Sequence, residues 1–396
     1  MLSGTTVVDF TRHLPGLYCT MRLADMGAEV IKIEAYPPGE AGRTGGPRVD
    51  NTGLCYPSTN RNKRSVALNL RTAAGRELAF ALAAQADVVV ESFRPGVMSH
   101  LGLDYEALVE AKPDLIYCSL TGYGQSGTMY QLGGHDLNYQ AVSGFSAANR
   151  DSEGRPVIPE VPLADFAGGL YAAEQICAAL VQKERTGRGV FLDVASVDVM
   201  ASWTALHMLL LGHTRQEATI GQYLFGLINY NVYETSDGRF VALAALEEKF
   251  WHNFCHAVGR EDWEPYIGRS VLDQSDVYEE MKALFLTRTQ TEWNDLGMEV
   301  DCCLTAVEEI DTWLASPYVT SRLSPFVVRH ALETHGAPAK LQEATEPVPP
   351  TGGDTYDVLR SRLSVNDGQL QRYAMLGIIP KGVMNDESTD DRYRTD

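Results

Sequence analysis

The segment VVDFTRHLPGLYCTMRLADMGAEVIKIE, residues 7–34, changes its hydrophobic period twice, and that change sets the fold class. Thr6–Phe10 is a short apolar run, as expected of a buried strand. Pro15–Met26 then offers Leu17, Met21 and Leu23 for burial on a helix, and Gly27 ends it. Glu29–Glu34 alternates like a second strand. The pattern repeats downstream. Ser65–Leu70 reads as a strand, and Thr72 as the N-cap of an Ala-rich helix reaching Ala84. Asp87–Glu91 reads as a strand buried on both faces, Tyr105–Ala111 as a short helix and Leu115–Leu120 as a strand. Such repetition predicts an α/β fold with a Rossmann-like parallel sheet and right-handed crossovers. The first strand–helix turn, Thr11-Arg12-His13-Leu14-Pro15-Gly16, lacks the GxGxxG fingerprint, which argues against a standard NAD or FAD site.

Gly133–Pro162, rich in Gly, Pro and Ser, reads as a long connection with few helix signals. It leads to Asp165 and a strong helix over Ala167–Lys183, then a strand at Val190–Val194 and one long apolar helix at Val197–Leu211. Past Tyr223 the texture changes. Asn231–Ala244 predicts a hairpin about Ser236-Asp237-Gly238, followed by short amphipathic helices to Leu314. Pro347–Gly353 reads as a linker, Asp354–Leu363 and Asp367–Met375 as final helices, and 383–396 as a frayed polar tail. The expected organisation is a large Rossmann-like domain over 1–222, a smaller α+β domain over 223–320, and a C-terminal segment over 321–396.

Composition narrows the function. The net charge of −19 repels phosphate backbones, so nucleic acid is an unsuitable partner, and an anionic ligand needs a local cluster of Arg and Lys. No apolar run approaches the ~20 residues of a membrane span, and the N-terminus does not read as a signal or transit peptide, so cytoplasm is the expectation. Seven Cys without a CxxC argue against a disulfide framework or a zinc site.

Four segments carry candidate chemistry. They are Gly133-Gly134-His135-Asp136-Leu137-Asn138-Tyr139, Ala164-Asp165-Phe166-Ala167-Gly168-Gly169, Glu91-Ser92-Phe93-Arg94-Pro95-Gly96 and Ala245-Leu246-Glu247-Glu248. Taken singly, Asp165 is an N-cap, His135 a loop histidine, and Arg94 and Glu247 surface charges. Together they suit a ligand site, because ligands bind at the strand ends of open α/β sheets. Backbone N–H groups at the Asp165 helix terminus would then meet a developing oxyanion.

The chain resembles the family III CoA transferases, a family that also holds the α-methylacyl-CoA racemases. The resemblance rests on residues 7–34, NRNKRSVALNL (60–70), ADVVVESFRPGV (86–97), LIYCSLTGYGQSG (115–127), GHDLNYQAVSG (134–144), LADFAGG (163–169) and RTGRGVFLDVASVD (185–198). It implies an interlocked homodimer and an enzyme acting on acyl-CoA, with coenzyme A part of the substrate and no other cofactor or metal. In the transferases, the Asp matching Asp165 is a nucleophile that passes through an aspartyl-CoA thioester. In the racemases, that Asp and a His matching His135 are acid and base on opposite faces of the α-carbon, and a Glu matching Glu247 holds the His. The GHD-x-NY string resembles the racemases, whereas PPGEAGR (37–43) resembles the transferases. The expectation is therefore a racemase or epimerase of 2-methylacyl-CoA, with a CoA transferase as the alternative. Arg94, Arg71, His100 and Arg43 are candidates for the CoA phosphates, and Leu68 and Leu70 for the adenine.

Overall fold

A computed structural model of the chain describes residues 1–214, 226–322 and 348–382, apart from 38, 44, 46, 47, 50, 51, 54, 55, 152, 274, 314 and 315. Two compact units emerge, Met1–Trp203 with Leu332–Asp396, and Thr204–Ala331. The expected boundary near 222, most of the 321–347 stretch and the 383–396 tail lie outside the described residues.

The first unit opens as its sequence predicts, with β1 (Thr6–Asp9), α1 (His13–Asp25) and β2 (Glu29–Ala35). Next come β3 (Lys63–Leu68), α2 (Ala73–Ala83), β4 (Val88–Glu91), α3 (Val97–Leu101), α4 (Tyr105–Ala111) and β5 (Ile116–Thr121). Thr72 caps α2, its Oγ1 accepting from Gly75 N at 3.0 Å. The 133–162 stretch is not one loop. It contains α5 (Asp136–Val142) and α6 (Phe145–Ala148), because Tyr139 and Gln140 find burial that local pattern does not show. Then follow α7 (Leu163–Thr186), β6 (Val190–Ala195) and α8 (Ser196–Trp203).

These six strands form one sheet whose neighbours are all parallel, in the order β3-β2-β1-β4-β5-β6. The order reverses direction between β1 and β4, and such a switch point opens a crevice at the strands' C-terminal ends. One core joins Val8, Ile31, Val66, Val89 and Leu78 to Val358, Leu359 and Leu370 of two C-terminal helices, α13 (Thr355–Leu363) and α14 (Asp367–Met375). The other joins Val7, Val88 and Cys118 to Leu23 of α1 and Ile176 of α7. The C-terminal segment also closes the β3 edge: Asp354 Oδ2 accepts from Ser65 N and Thr355 Oγ1 from Ala67 N.

The predicted long helix over Val197–Leu211 is instead two, α8 and α9 (Ala205–Thr214), which fall in different units. Its apolar residues occur on every face, so the sequence gives no period to mark the break at Thr204. The second unit holds the hairpin β7 (Tyr230–Glu234) and β8 (Phe240–Ala244), then α10 (Glu248–Ala257), α11 (Ser275–Phe285), α12 (Gln290–Val300) and β9 (Leu304–Ala306). Its antiparallel sheet runs β9-β8-β7 and encloses Trp251, Trp263, Phe285 and Trp293.

Candidate active site

Loops following β1, β4 and β5 and the N-termini of α5, α7 and α8 enclose a cleft of about 360 Å³ at the switch point. Its lining includes Arg12, His13, Phe93, Arg94, Tyr123, His135, Tyr139 and Asp165. Three sequence candidates, His135, Asp165 and Arg94, thus meet at one cavity.

His135 is the N-cap residue of α5, and its backbone N donates to Asn138 Oδ1 at 3.0 Å. Its imidazole is exposed to the cleft. Tyr139, one turn on, donates from Oη to Gly134 O at 2.5 Å. Gly134 permits this packing: a Cβ there would stand 2.7 Å from the Tyr139 ring. Burial, then the nearby Asp165, pushes the Tyr139 hydroxyl up to about 12, so it remains protonated at neutral pH.

Asp165 is the third residue of α7 rather than its cap. The cap comes from across the chain. Asp136 Oδ1 accepts from Ala164 N at 2.7 Å and from Asp165 N at 3.2 Å, and Phe166 N bonds Pro162 O at 3.1 Å. The Ala164, Asp165 and Phe166 N–H groups are therefore occupied, which removes the predicted oxyanion role of the Asp165 backbone. Asp136 does a second thing. Burial raises the Asp165 carboxyl, the Asp136 charge raises it further, and it reaches about 7. Sequence reasoning misses Asp136 because its partners lie 28 and 29 residues downstream. The one local signal is its place beside His135.

The remaining candidates fall elsewhere. Arg71 and His100 are exposed at the start of α2 and in α3. A shallower groove lined by Ala73, Arg76, Phe80 and Leu101 lies between those helices. Leu68 is fully buried in the core, so of the leucine pair only Leu70 has surface. Arg43 is engaged by Glu34, with bonds of 2.7 and 2.6 Å to its two carboxylate oxygens, and its guanidinium stacks 4.0 Å from the Tyr56 ring. Burial works against the ionised Glu34 carboxylate, yet Arg43 and the Ser65 hydroxyl hold it below its ordinary range. Arg43 is thus a structural cation here, not one free for phosphate. Glu247 belongs to the second unit, where it is exposed at the N-cap position of α10 directly after β8.

Residues 2–355 match the family described as CoA-transferase family III. Succinyl-CoA:glutarate CoA-transferase of Homo sapiens is 40% identical over 258 residues, 63% of this chain and 57% of that protein. The alignment thus spans little more than half of that relative. Alpha-methylacyl-CoA racemase of Mus musculus is 33% identical over 372 residues, 91% of this chain and 93% of the racemase. A solved structure of a CAIB/BAIF family protein from Brucella suis superposes with a TM-score of 0.76 at 26% identity, covering 91% of this chain and 99% of its own. With its parallel sheet, its switch-point cleft and a match across residues 2–355, this chain belongs to CoA-transferase family III, whose relatives here include both CoA transferases and racemases.

Proposed function

We propose that the protein is an acyl-CoA racemase or epimerase that moves the α-proton of a 2-methylacyl-CoA between His135 and Asp165. The observation that carries this reading is that both side chains line one cleft. A 1,1-proton transfer needs one group to remove the proton and another to return it on the opposite face. For one enantiomer His135 takes the α-proton, electrons pass into the thioester to give an enolate, and protonated Asp165 supplies the new α-proton. For the other enantiomer the roles reverse. A carboxyl raised to about 7 suits this exchange, since both of its protonation states are populated near neutrality. With the Ala164 and Asp165 N–H groups taken by Asp136, the first-turn N–H groups of α5, Asp136 and Leu137, are the candidates to meet the enolate oxygen.

Coenzyme A enters as part of the substrate, and this chemistry calls for no metal or redox group. Arg94 would meet its phosphates, with Arg71, His100 and Leu70 further along. A homodimer would complete the assembly. Exposed apolar side chains such as Leu206, Leu209 and Leu211 of α9 support association with a second copy.

The second reading is a CoA transferase in which the ionised Asp165 attacks the thioester carbonyl and expels CoA thiolate. The 40% identity to a succinyl-CoA:glutarate CoA-transferase favours it. Incubation of a single enantiomer of a 2-methylacyl-CoA in D2O separates the two. The racemase reading expects deuterium at the α-carbon and loss of optical purity, both abolished by His135→Ala. No exchange, together with a hydroxylamine-sensitive adduct at Asp165, overturns it.

A further inference from the structure

Arg12 and His13 line the cleft, and the proton transfer does not use them. Both are exposed, yet their backbone is firmly held. Asp9 Oδ1 accepts from Thr11 N at 2.8 Å and from Thr11 Oγ1 at 2.7 Å, and Lys32 Nζ donates to Thr11 O. The Ser92 hydroxyl accepts from Arg12 N at 2.8 Å and donates to Arg12 O at 2.9 Å. His13 follows with a φ of 64°, in the left-handed region, which a residue with a side chain adopts only against steric strain. The surrounding bonds keep an exposed histidine in that strained conformation, and strain held this way collects at functional sites.

The same loop lies against the helix that carries Asp165. A Cβ on Gly169, one turn beyond Asp165, would stand 2.4 Å from Pro15 O, and the Tyr18 ring meets Phe166 edge-on at 4.9 Å. Arg12 and His13 are therefore placed at the reacting end of the cleft. Charge adds an independent argument. The chain carries a net −19, yet this cleft presents Arg12, Arg94 and two histidines against Asp165. Among the described residues, no ion pair engages Arg12, whose guanidinium rests 5.1 Å from the Phe93 ring centroid. A guanidinium without a carboxylate, on a rigid loop of an acidic protein, is available for an anionic group of the ligand.

We infer that Arg12 and His13 bind a carboxylate carried by the acyl group, so that the substrate class is the CoA thioester of a 2-substituted dicarboxylic acid. This rests on the acyl-CoA reading of the site. The guanidinium fork takes a carboxylate through two parallel bonds, and the imidazole N–H adds a third. The other anions on such a substrate are the CoA phosphates. The pantetheine arm holds them far from the thioester, whereas Arg12 and His13 share the cleft lining with Asp165 and lead into Pro15, which packs on α7 one turn beyond it.

A matched pair of ligands tests the inference. In 2-methylsuccinyl-CoA, with the thioester next to the methyl-bearing carbon, a carboxylate stands where 2-methylbutanoyl-CoA has a methyl group. Calorimetric titration of the full chain with these two and with free CoA gives three affinities that need no turnover. The expected result is at least about tenfold tighter binding of the dicarboxylic thioester, the scale of one or more charged hydrogen bonds. Arg12→Gln should erase that preference and leave 2-methylbutanoyl-CoA and free CoA unchanged, and Arg12→Lys should restore part of it. Equal affinity for the two thioesters in the unaltered protein overturns the inference without recourse to any variant. So does an Arg12→Gln protein that loses free CoA as strongly as the dicarboxylic thioester, which assigns Arg12 to a phosphate. A carboxylate preference without α-proton exchange sinks the racemase reading and keeps this one. Exchange on 2-methylbutanoyl-CoA with no preference does the reverse.

Discussion

Asp9 and Asp165 lie at the same end of one parallel sheet and have opposite electrostatic fates. Asp9 is fully buried, and burial alone would raise its pKa. Lys32 and Lys63 lie 3.8 and 3.2 Å away, the Thr11 and Thr20 hydroxyls donate to it, and together they hold it below its ordinary value. Lys63 itself falls to about 8 through burial, against the pull of Asp9, so the pair is charged at neutral pH. Asp165 is less deeply buried, yet its pKa rises to about 7, because burial raises it and its charged neighbour, another carboxylate, adds to the rise where Asp9 has lysines to oppose it. Partners, more than depth, decide which carboxylate is spent on structure and which stays reactive. Glu91 lies between the two cases. It is buried behind the cleft, where burial raises it to about 7 although Ser119 and the Phe93 N–H favour its charged form.

The contrast breaks most clearly by mutation at each pole. Asp165→Asn should cut the α-proton exchange rate by about 10²–10⁴-fold, the range for losing one general acid or base, while circular dichroism shows a folded chain. An Asn variant with undiminished exchange would place the acid elsewhere. Asp9→Ala should do the opposite. It leaves Lys63 in the interior without its carboxylate and Lys32 with Glu40 alone, for a loss of about 3–5 kcal/mol in urea unfolding. A loss below about 1 kcal/mol would mean that water or a shifted Glu40, 3.3 Å from Lys32, replaces the partner.

The same contrast explains what the sequence could disclose. Thr72, the six parallel strands and the gathering of His135, Asp165 and Arg94 follow from periodicity, capping chemistry and the resemblance, which act locally or through whole motifs. The Asp9 cluster does not. Lys32 falls in the alternating Glu29–Glu34 segment and Lys63 just ahead of the Ser65–Leu70 strand, and only the folded chain brings them, 23 and 54 residues along the sequence, to one carboxylate. Asp136 is hidden for the same reason, since it satisfies a helix terminus far downstream. Arg43 looked free in the sequence because the bidentate bond with Glu34 joins a strand to the loop after it. The reading of 133–162 as a single loop failed because α5 and α6 are too short to show a period and depend on burial against α7 and α8.

A smaller effect sharpens the contrast at Asp136. Asp136→Asn keeps an oxygen for the Ala164 and Asp165 N–H groups but removes the neighbouring charge. Ionisation of Asp165 becomes easier, so its pKa should move down from about 7 towards the ordinary carboxylate value. NMR titration of the Asp165 side-chain carboxyl reads this directly, and the matching limb of the kcat/KM profile should move with it. A titration unmoved by the substitution would leave burial as the whole cause.

The smallest effect is on stability, and its sign follows from the raised pKa. Between about pH 4 and pH 7 the folded chain keeps on Asp165 a proton that the unfolded chain has lost. The stabilisation linked to that proton is complete below the unfolded pKa of 3.8 and disappears as pH rises through about 7. Above pH 7 the folded protein carries a partly desolvated carboxylate beside Asp136, and that cost is what Asp165→Asn removes. The Asn variant should therefore melt a few degrees higher than the unaltered protein at pH 8 and at the same temperature near pH 4. Asp9 predicts the reverse profile. Its lowered pKa contributes stability above pH 3.8 that is lost as acid protonates the folded form, so the penalty of Asp9→Ala should be largest at neutral pH and shrink in acid. If the two melting differences ran in the same direction with pH, the two aspartates would not differ by their partners, and the assignment of Asp165 as the reactive acid would lose its electrostatic basis.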